Sequence, residues 1–175
     1  LGGHPDDLTD RPGPGVGGGS LGESEAELTQ VLRPQLEVQV RAFGADRDAP
    51  DTTSYRTPVE LEGANAALGF LGGDLRIAND TEGADVVHSH TWYANQAGNI
   101  AKLLHGMPHV ISAHSLEPLR PWKAEQLGGG YALSSWAEKT AYLGADAVIA
   151  VSDGMRRDIL ACYPEVDPEK VHTVH

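Results

Sequence analysis

The sequence predicts an α/β fold built on a mostly parallel sheet, and three observations carry the prediction. Short apolar runs of strand character recur at residues 85–90, 109–114 and 147–151. Helical stretches of about a dozen residues lie between them. Such alternation calls for right-handed βαβ crossovers with helices flanking the sheet, a Rossmann-like arrangement. No internal repeat competes with this reading.

The elements follow in order along the chain. Residues 1–22 are rich in glycine, proline and aspartate, with Pro12-Gly13-Pro14-Gly15 ahead of Gly17-Gly18-Gly19, and read as loop. A polar helix is expected over 24–32, carried by Leu28 and Leu32 and stopped by Pro34. Residues 36–43 alternate apolar with polar, the period of a strand with one wetter face. Residues 44–58 read as a polar loop, and helix resumes over 61–79. After the strand at 85–90, a helix over 93–105 ends at Gly106 and Pro108. The strand at 109–114 leads into a proline-broken loop over 116–122. Gly128-Gly129-Gly130 interrupts the chain before a helix over 133–143. The most continuous apolar strand, 147–151, precedes a helix capped by Ser152 and Asp153 that runs to Cys162. Residues 170–175 complete the pattern as a further strand.

Length and composition bound the function. At 175 residues the chain is one domain, or one lobe of something larger. Its 40% hydrophobic and 22% charged content is that of a globular protein. Thirteen basic residues stand against 25 acidic ones, a net charge of -12, and that field repels phosphate backbones and anionic membranes. We therefore expect no nucleic-acid partner and no membrane partner. Cys162 is the sole cysteine, which excludes a disulfide framework or a cysteine-rich zinc site and fits a reducing compartment. No apolar run approaches the ~20 residues that span a bilayer, and no signal peptide is visible at the start. The expected location is the cytoplasm.

Ligands of open parallel sheets sit at the carboxyl ends of the strands, and His90, His114 and Ser152 all fall at or just beyond such ends. His88 and His90 are two apart, so both side chains point to one face of a strand. With His114 from the neighbouring strand they can hold a metal; alternatively one packs and hydrogen-bonds while another reaches into a cleft. We take the second reading and expect no metal. His4-Pro5-Asp6-Asp7 resembles the metal-binding tetrad of sugar-amide deacetylases, but only Leu1-Gly2-Gly3 precedes it, too short for a strand that would hold the ligands rigidly. A metal-dependent deacetylase is thus an alternative of lower rank. Glycines 15–19 ahead of a helix can turn backbone N–H groups toward a phosphate, or can simply be flexible. Trp92-Tyr93 and Trp122 offer flat faces beside strand ends, suited to sugar rings.

The residues 85–95, DVVHSHTWYAN, resemble a strand motif of bacterial glycogen synthases in glycosyltransferase family 4, and the run 114–131, HSLEPLRPWKAEQLGGGY, is closer still. Residues 145–152, ADAVIAVS, add the family's generic strand. The similarity covers about 31–175 and makes that stretch the amino-terminal domain of a GT-B enzyme, preceded by an irregular leader over 1–30 with an atypical glycine loop. It further implies a retaining hexosyltransferase whose carboxyl-terminal, donor-binding lobe is absent here, so that this chain alone is expected to be inactive. The implied donor is a nucleotide sugar, ADP-glucose, serving as co-substrate; no cofactor is implied. The implied acceptor is an α-1,4-glucan, with glucose 1-phosphate, giving maltose 1-phosphate, as the close variant. An inactive fragment that merely binds glucan is a third reading. By the same resemblance His114 is the catalytic histidine facing the transferred glucose. His90, Trp92, Tyr93 and Asn95 line the sugar and acceptor side, Arg120 and Lys123 meet an anionic group, and Gly17, Gly18 and Gly19 bind phosphate.

Overall fold

The computed structural model describes residues 20–175. It divides into two compact units, one comprising residues up to Val40 with Arg47–Thr53, the other Arg41–Asp46 with Ser54–His175. In the first unit, helix α1 (Ser20–Leu32) leads to a turn where the Arg33 guanidinium bonds Asp51 Oδ2 at 2.8 Å and the Pro50 carbonyl at 2.7 Å. The boundary read from the sequence, between residues 30 and 31, falls inside this helix.

Strands β1 (Val40–Phe43) and β2 (Thr52–Tyr55) form a two-stranded sheet. β2 lies inside the stretch expected to be loop. Its Thr-Thr-Ser-Tyr sequence is rich in strand formers, and Tyr55 is buried, its hydroxyl donating to Asp80 Oδ2 at 2.8 Å. Conversely, the alternation at 36–39 forms no strand; only its last four residues pair, as β1.

The second unit holds a four-stranded, wholly parallel sheet in the order β3-β4-β5-β6: Val87–His90, His109–Ala113, Ala147–Ala150 and Val171–Thr173. Each strand was expected, as was the α/β class. Parallel pairing needs long crossovers, and these are α3 (Trp92–His105), α4 (Trp122–Leu127) with α5 (Gly129–Gly144), and α6 (Asp153–Cys162). α3 stops at Gly106, whose φ of 81° is the left-handed cap that glycine supplies without strain. α6 begins on Ser152, whose Oγ accepts from the Met155 amide at 3.1 Å.

The loop expected over 116–122 is present, with a single 3-10 turn at Glu117–Leu119, but a short helix not expected from the sequence begins at its end. Pro121 presets the helical φ that starts α4. Gly128, at a φ of 51°, interrupts the chain between α4 and α5 as expected, but α5 begins directly after it at Gly129, earlier than the expected start at 133. Gly129 and Gly130 therefore belong to the helix. A side chain at Gly130 would lie 2.7 Å from Asn65 Oδ1, and Asn65 is the N-cap of α2 (Ala66–Asn79), accepting from the Ala67 amide at 3.0 Å. Gly98 serves a similar end in α3: its missing Cβ leaves room for the His109 ring.

The main core joins sheet to α5 and α6 through Ile111, Tyr142, Val148, Ile159 and Val171. No described helix is long and apolar enough to cross a membrane.

Candidate functional site at the strand tips

In a parallel pair, residues in register present their side chains to the same face. His88 pairs with Val110 and His90 with Ser112, and His114 lies two residues beyond Ser112. His88, His90, Ser112 and His114 therefore share one face at the carboxyl ends of β3 and β4. The rings form a short ladder: His88 to His90 at 4.5 Å between centroids, and His90 to His114 at 5.4 Å, nearly stacked. His88 Nε2 lies 2.8 Å from Ser112 Oγ, and His90 Nδ1 lies 3.1 Å from His114 Nε2. Burial pushes His90 down to about 3, helped by the nearby His88 and His114, and burial also lowers His114. Both rings are neutral at neutral pH. Among the described residues, no group of three or more His, Cys, Asp or Glu side chains is arranged to hold a metal ion.

The opposite face of β3 is interior. Ser89 Oγ donates to Asn95 Oδ1 at 2.8 Å and lies 2.7 Å from His109 Nε2. Asn95 is only 1% exposed, so it does not line a cleft with His90. The cause is helical geometry: α3 buries one side in the fold, and Asn95 on that side bonds Ser89 of β3 while Asn99 faces the end of α5. Trp92 and Tyr93, in the first turn, remain half-buried and pack on Phe70, edge-on at 5.5 Å and stacked at 5.3 Å. Thr91, the link between β3 and α3, takes a φ of 68°, a left-handed value costly for a β-branched residue.

Arg120 and Lys123 converge on Glu117, which is 1% exposed. Lys123 Nζ donates to Glu117 Oε1 at 3.0 Å, and Arg120 Nη1 stands 3.9 Å from the same oxygen. Ser134 Oγ donates to Glu117 Oε2 at 2.8 Å, and the Glu117 amide donates to Glu138 Oε1 at 2.8 Å. Glu138 also accepts from the Tyr163 hydroxyl. Burial pushes the Glu138 carboxyl up to about 7. The charge of Lys123 is thus committed to Glu117, which leaves Arg120, more exposed and more loosely paired, as the cation better able to meet an anion.

The structure brings His90 to His114, and Arg120 and Lys123 to one carboxylate; sequence reasoning missed Ser112 as the partner of His88, Glu117 as the partner of both cations, and Glu138 as the acceptor for the Glu117 amide. Alternation, read as far as Ser112, places that hydroxyl on one face of its strand, but its meeting with His88 depends on the register of the two strands. Glu117 gave no comparable signal, because a carboxylate in a proline-rich stretch reads as surface. Gly17, Gly18 and Gly19, and the His4-Pro5-Asp6-Asp7 string, lie outside the described residues.

The chain is 56% identical over 161 residues to the alpha-maltose-1-phosphate synthase of Mycolicibacterium smegmatis, a match covering 89% of this chain and 40% of that protein. Identity to the alpha-maltose-1-phosphate synthase of Mycobacterium tuberculosis is 53% over 156 residues, again 89% of this chain and 40% of the relative. The D-inositol 3-phosphate glycosyltransferase of Thermomonospora curvata is 26% identical over 183 residues, covering 94% of this chain and 42% of its own length. The chain therefore spans about 40% of the length of these curated relatives. The model of Glycosyltransferase Family 4 matches residues 25–175, a stretch that takes in every strand of the sheet and both histidine-bearing tips, and to that family the chain belongs.

Proposed function

We propose that this chain is the acceptor-side lobe of a hexosyltransferase that joins glucose from a nucleotide sugar to glucose 1-phosphate. The observation that carries the reading is the 56% identity, over 89% of this chain, to an alpha-maltose-1-phosphate synthase. The resemblance seen in the sequence ranked glucan elongation first and this reaction second; the relatives reverse that order. Arg120 accords with the reversal, since a phosphate-bearing acceptor rewards a guanidinium at the rim where a neutral glucan does not.

In this reading the neutral imidazole pair supplies hydrogen bonds to sugar hydroxyls, and Trp92 and Tyr93 offer apolar surface to C–H faces of the ring. His114 acts by position and by its dipole, placed to stabilise positive charge developing at the anomeric carbon. The nucleotide sugar is held chiefly by the lobe that completes the enzyme, and closure over the strand tips excludes water as a competing acceptor.

The test joins this chain to the carboxyl-terminal remainder of the Mycolicibacterium smegmatis relative and supplies ADP-glucose. Formation of maltose 1-phosphate from glucose 1-phosphate, with little extension of maltoheptaose, is the expected result. Extension of maltoheptaose without maltose 1-phosphate would return the reading to glucan elongation.

A further inference from the structure

We propose that His90 is a positioning residue for His114, and that its ring selects which nitrogen of His114 carries the proton. The proposal rests on the reading above only in naming a sugar as the ligand.

A neutral imidazole has one donor and one acceptor nitrogen, and a hydrogen bond at one of them dictates the role of the other. His114 Nε2 is committed, 3.1 Å from His90 Nδ1. If it accepts, Nδ1 bears hydrogen and donates outward; if it donates, Nδ1 is left to accept. A catalytic or ligand-binding histidine is usually oriented by a carboxylate or a backbone carbonyl. Among the described residues no carboxylate is hydrogen-bonded to either ring, so the second imidazole takes that place. His90 is itself held. It is half-buried at the end of β3, its ring lies between those of His88 and His114, and His88 is tied to Ser112 Oγ at 2.8 Å. Among the described residues His88 is the other ionisable side chain whose ring lies against the pair, and its protonated form would oppose protonation of His90. The arrangement thus ties His114 Nε2 to His90 Nδ1, and the tautomer of His90 sets whether His114 Nδ1 donates to or accepts from an incoming hydroxyl. A residue that merely lined the sugar pocket would have no reason to spend its Nδ1 on a neighbouring ring.

The test is long-range proton–nitrogen NMR of the 175-residue chain labelled in its histidine rings. The wild type is expected to show His114 as a single neutral tautomer at pH 8. In His90→Ala, His114 becomes a tautomer mixture and its titration midpoint rises toward the ordinary histidine value, since burial around the ring is reduced. His90→Asn, whose amide reaches about as far as Nδ1, restores the single tautomer. A tautomer mixture at His114 in the wild type would overturn the proposal, and that spectrum decides even if the alanine variant fails to fold. So would an unchanged His114 in a folded His90→Ala. Adding glucose 1-phosphate separates the two readings: ring shifts of His114 that do not respond count against the acceptor assignment while leaving the pairing intact.

Discussion

Two polar clusters flank the end of β4, one around Glu117 and one around His114. Glu117 lies in the interior, where Lys123, Ser134 and, through its amide, Glu138 all bond to it, and Tyr163 closes the set from α6. His114 lies half-buried with one nitrogen committed and the other not. A closed network leaves nothing for a ligand and gains rigidity; an open one keeps hydrogen-bonding capacity at the surface. The first cluster holds the segment that carries Arg120, Trp122 and Lys123 against α5. The second presents the chemistry. Proteins place open networks on such rigid supports because a site must hold its geometry before the ligand arrives.

The strongest way to break this contrast is to open the closed network. Glu117→Ala should cost about 3–5 kcal/mol, since it strands buried donors and leaves the Lys123 ammonium without its partner. Chemical denaturation of the purified variant reads this directly, and an unchanged midpoint would mean the cluster is not a structural clamp.

Asp74 sharpens the same point with opposite sign. It is fully buried in α2, and neither carboxylate oxygen has a partner among the described residues. Burial pushes it up to about 8. Its folded value lies above the unfolded one of about 3.9, so the fold is unpenalised below pH ~4 and loses stability as pH rises through 8. Asp74→Asn should therefore stabilise by about 1–3 kcal/mol at pH 8 and by nothing at pH 4. Thermal melts at the two pH values check it.

Glu138 stands between these cases, because it is buried yet bonded. Its raised value of about 7 has the same sign as that of Asp74: stability is fully present below pH ~4.5 and declines as pH rises through 7. Glu138→Gln keeps an acceptor for the Glu117 amide and Tyr163, and should flatten that decline by about 1–2 kcal/mol between pH 5 and 8.

The smallest stability effect belongs to the open cluster. His114→Ala should change unfolding free energy by less than about 1 kcal/mol, while in the joined enzyme it lowers turnover at least tenfold. A large loss of stability with turnover retained would assign His114 to the closed kind.

Much of the fold was legible because parallel strands, buried on both faces, announce themselves as apolar runs between helices. The β3, β4 and β5 runs, the α3 stop at Gly106 and the Ser152 cap are all local signals, carried by residues that meet their partners nearby in sequence. β2 was illegible because four residues of Thr, Thr, Ser and Tyr look polar until Ile77 of α2 and Ala97 of α3 bury Tyr55. α5 was clipped because glycine reads as a breaker, and only its contact with Asn65, more than sixty residues earlier, explains why glycine is needed there.

The site divides along the same line. That His88 and His90 share a face, and that His114 ends the next strand, follows from alternation and order along the chain. Register decided the rest. Pairing His90 with Ser112 brings His90 within 3.1 Å of His114, while the packing of α3 turns Asn95 away to the buried face. Periodicity is a property of each strand taken alone, but which rings touch depends on how two strands slide past each other, and only the assembled sheet sets that offset.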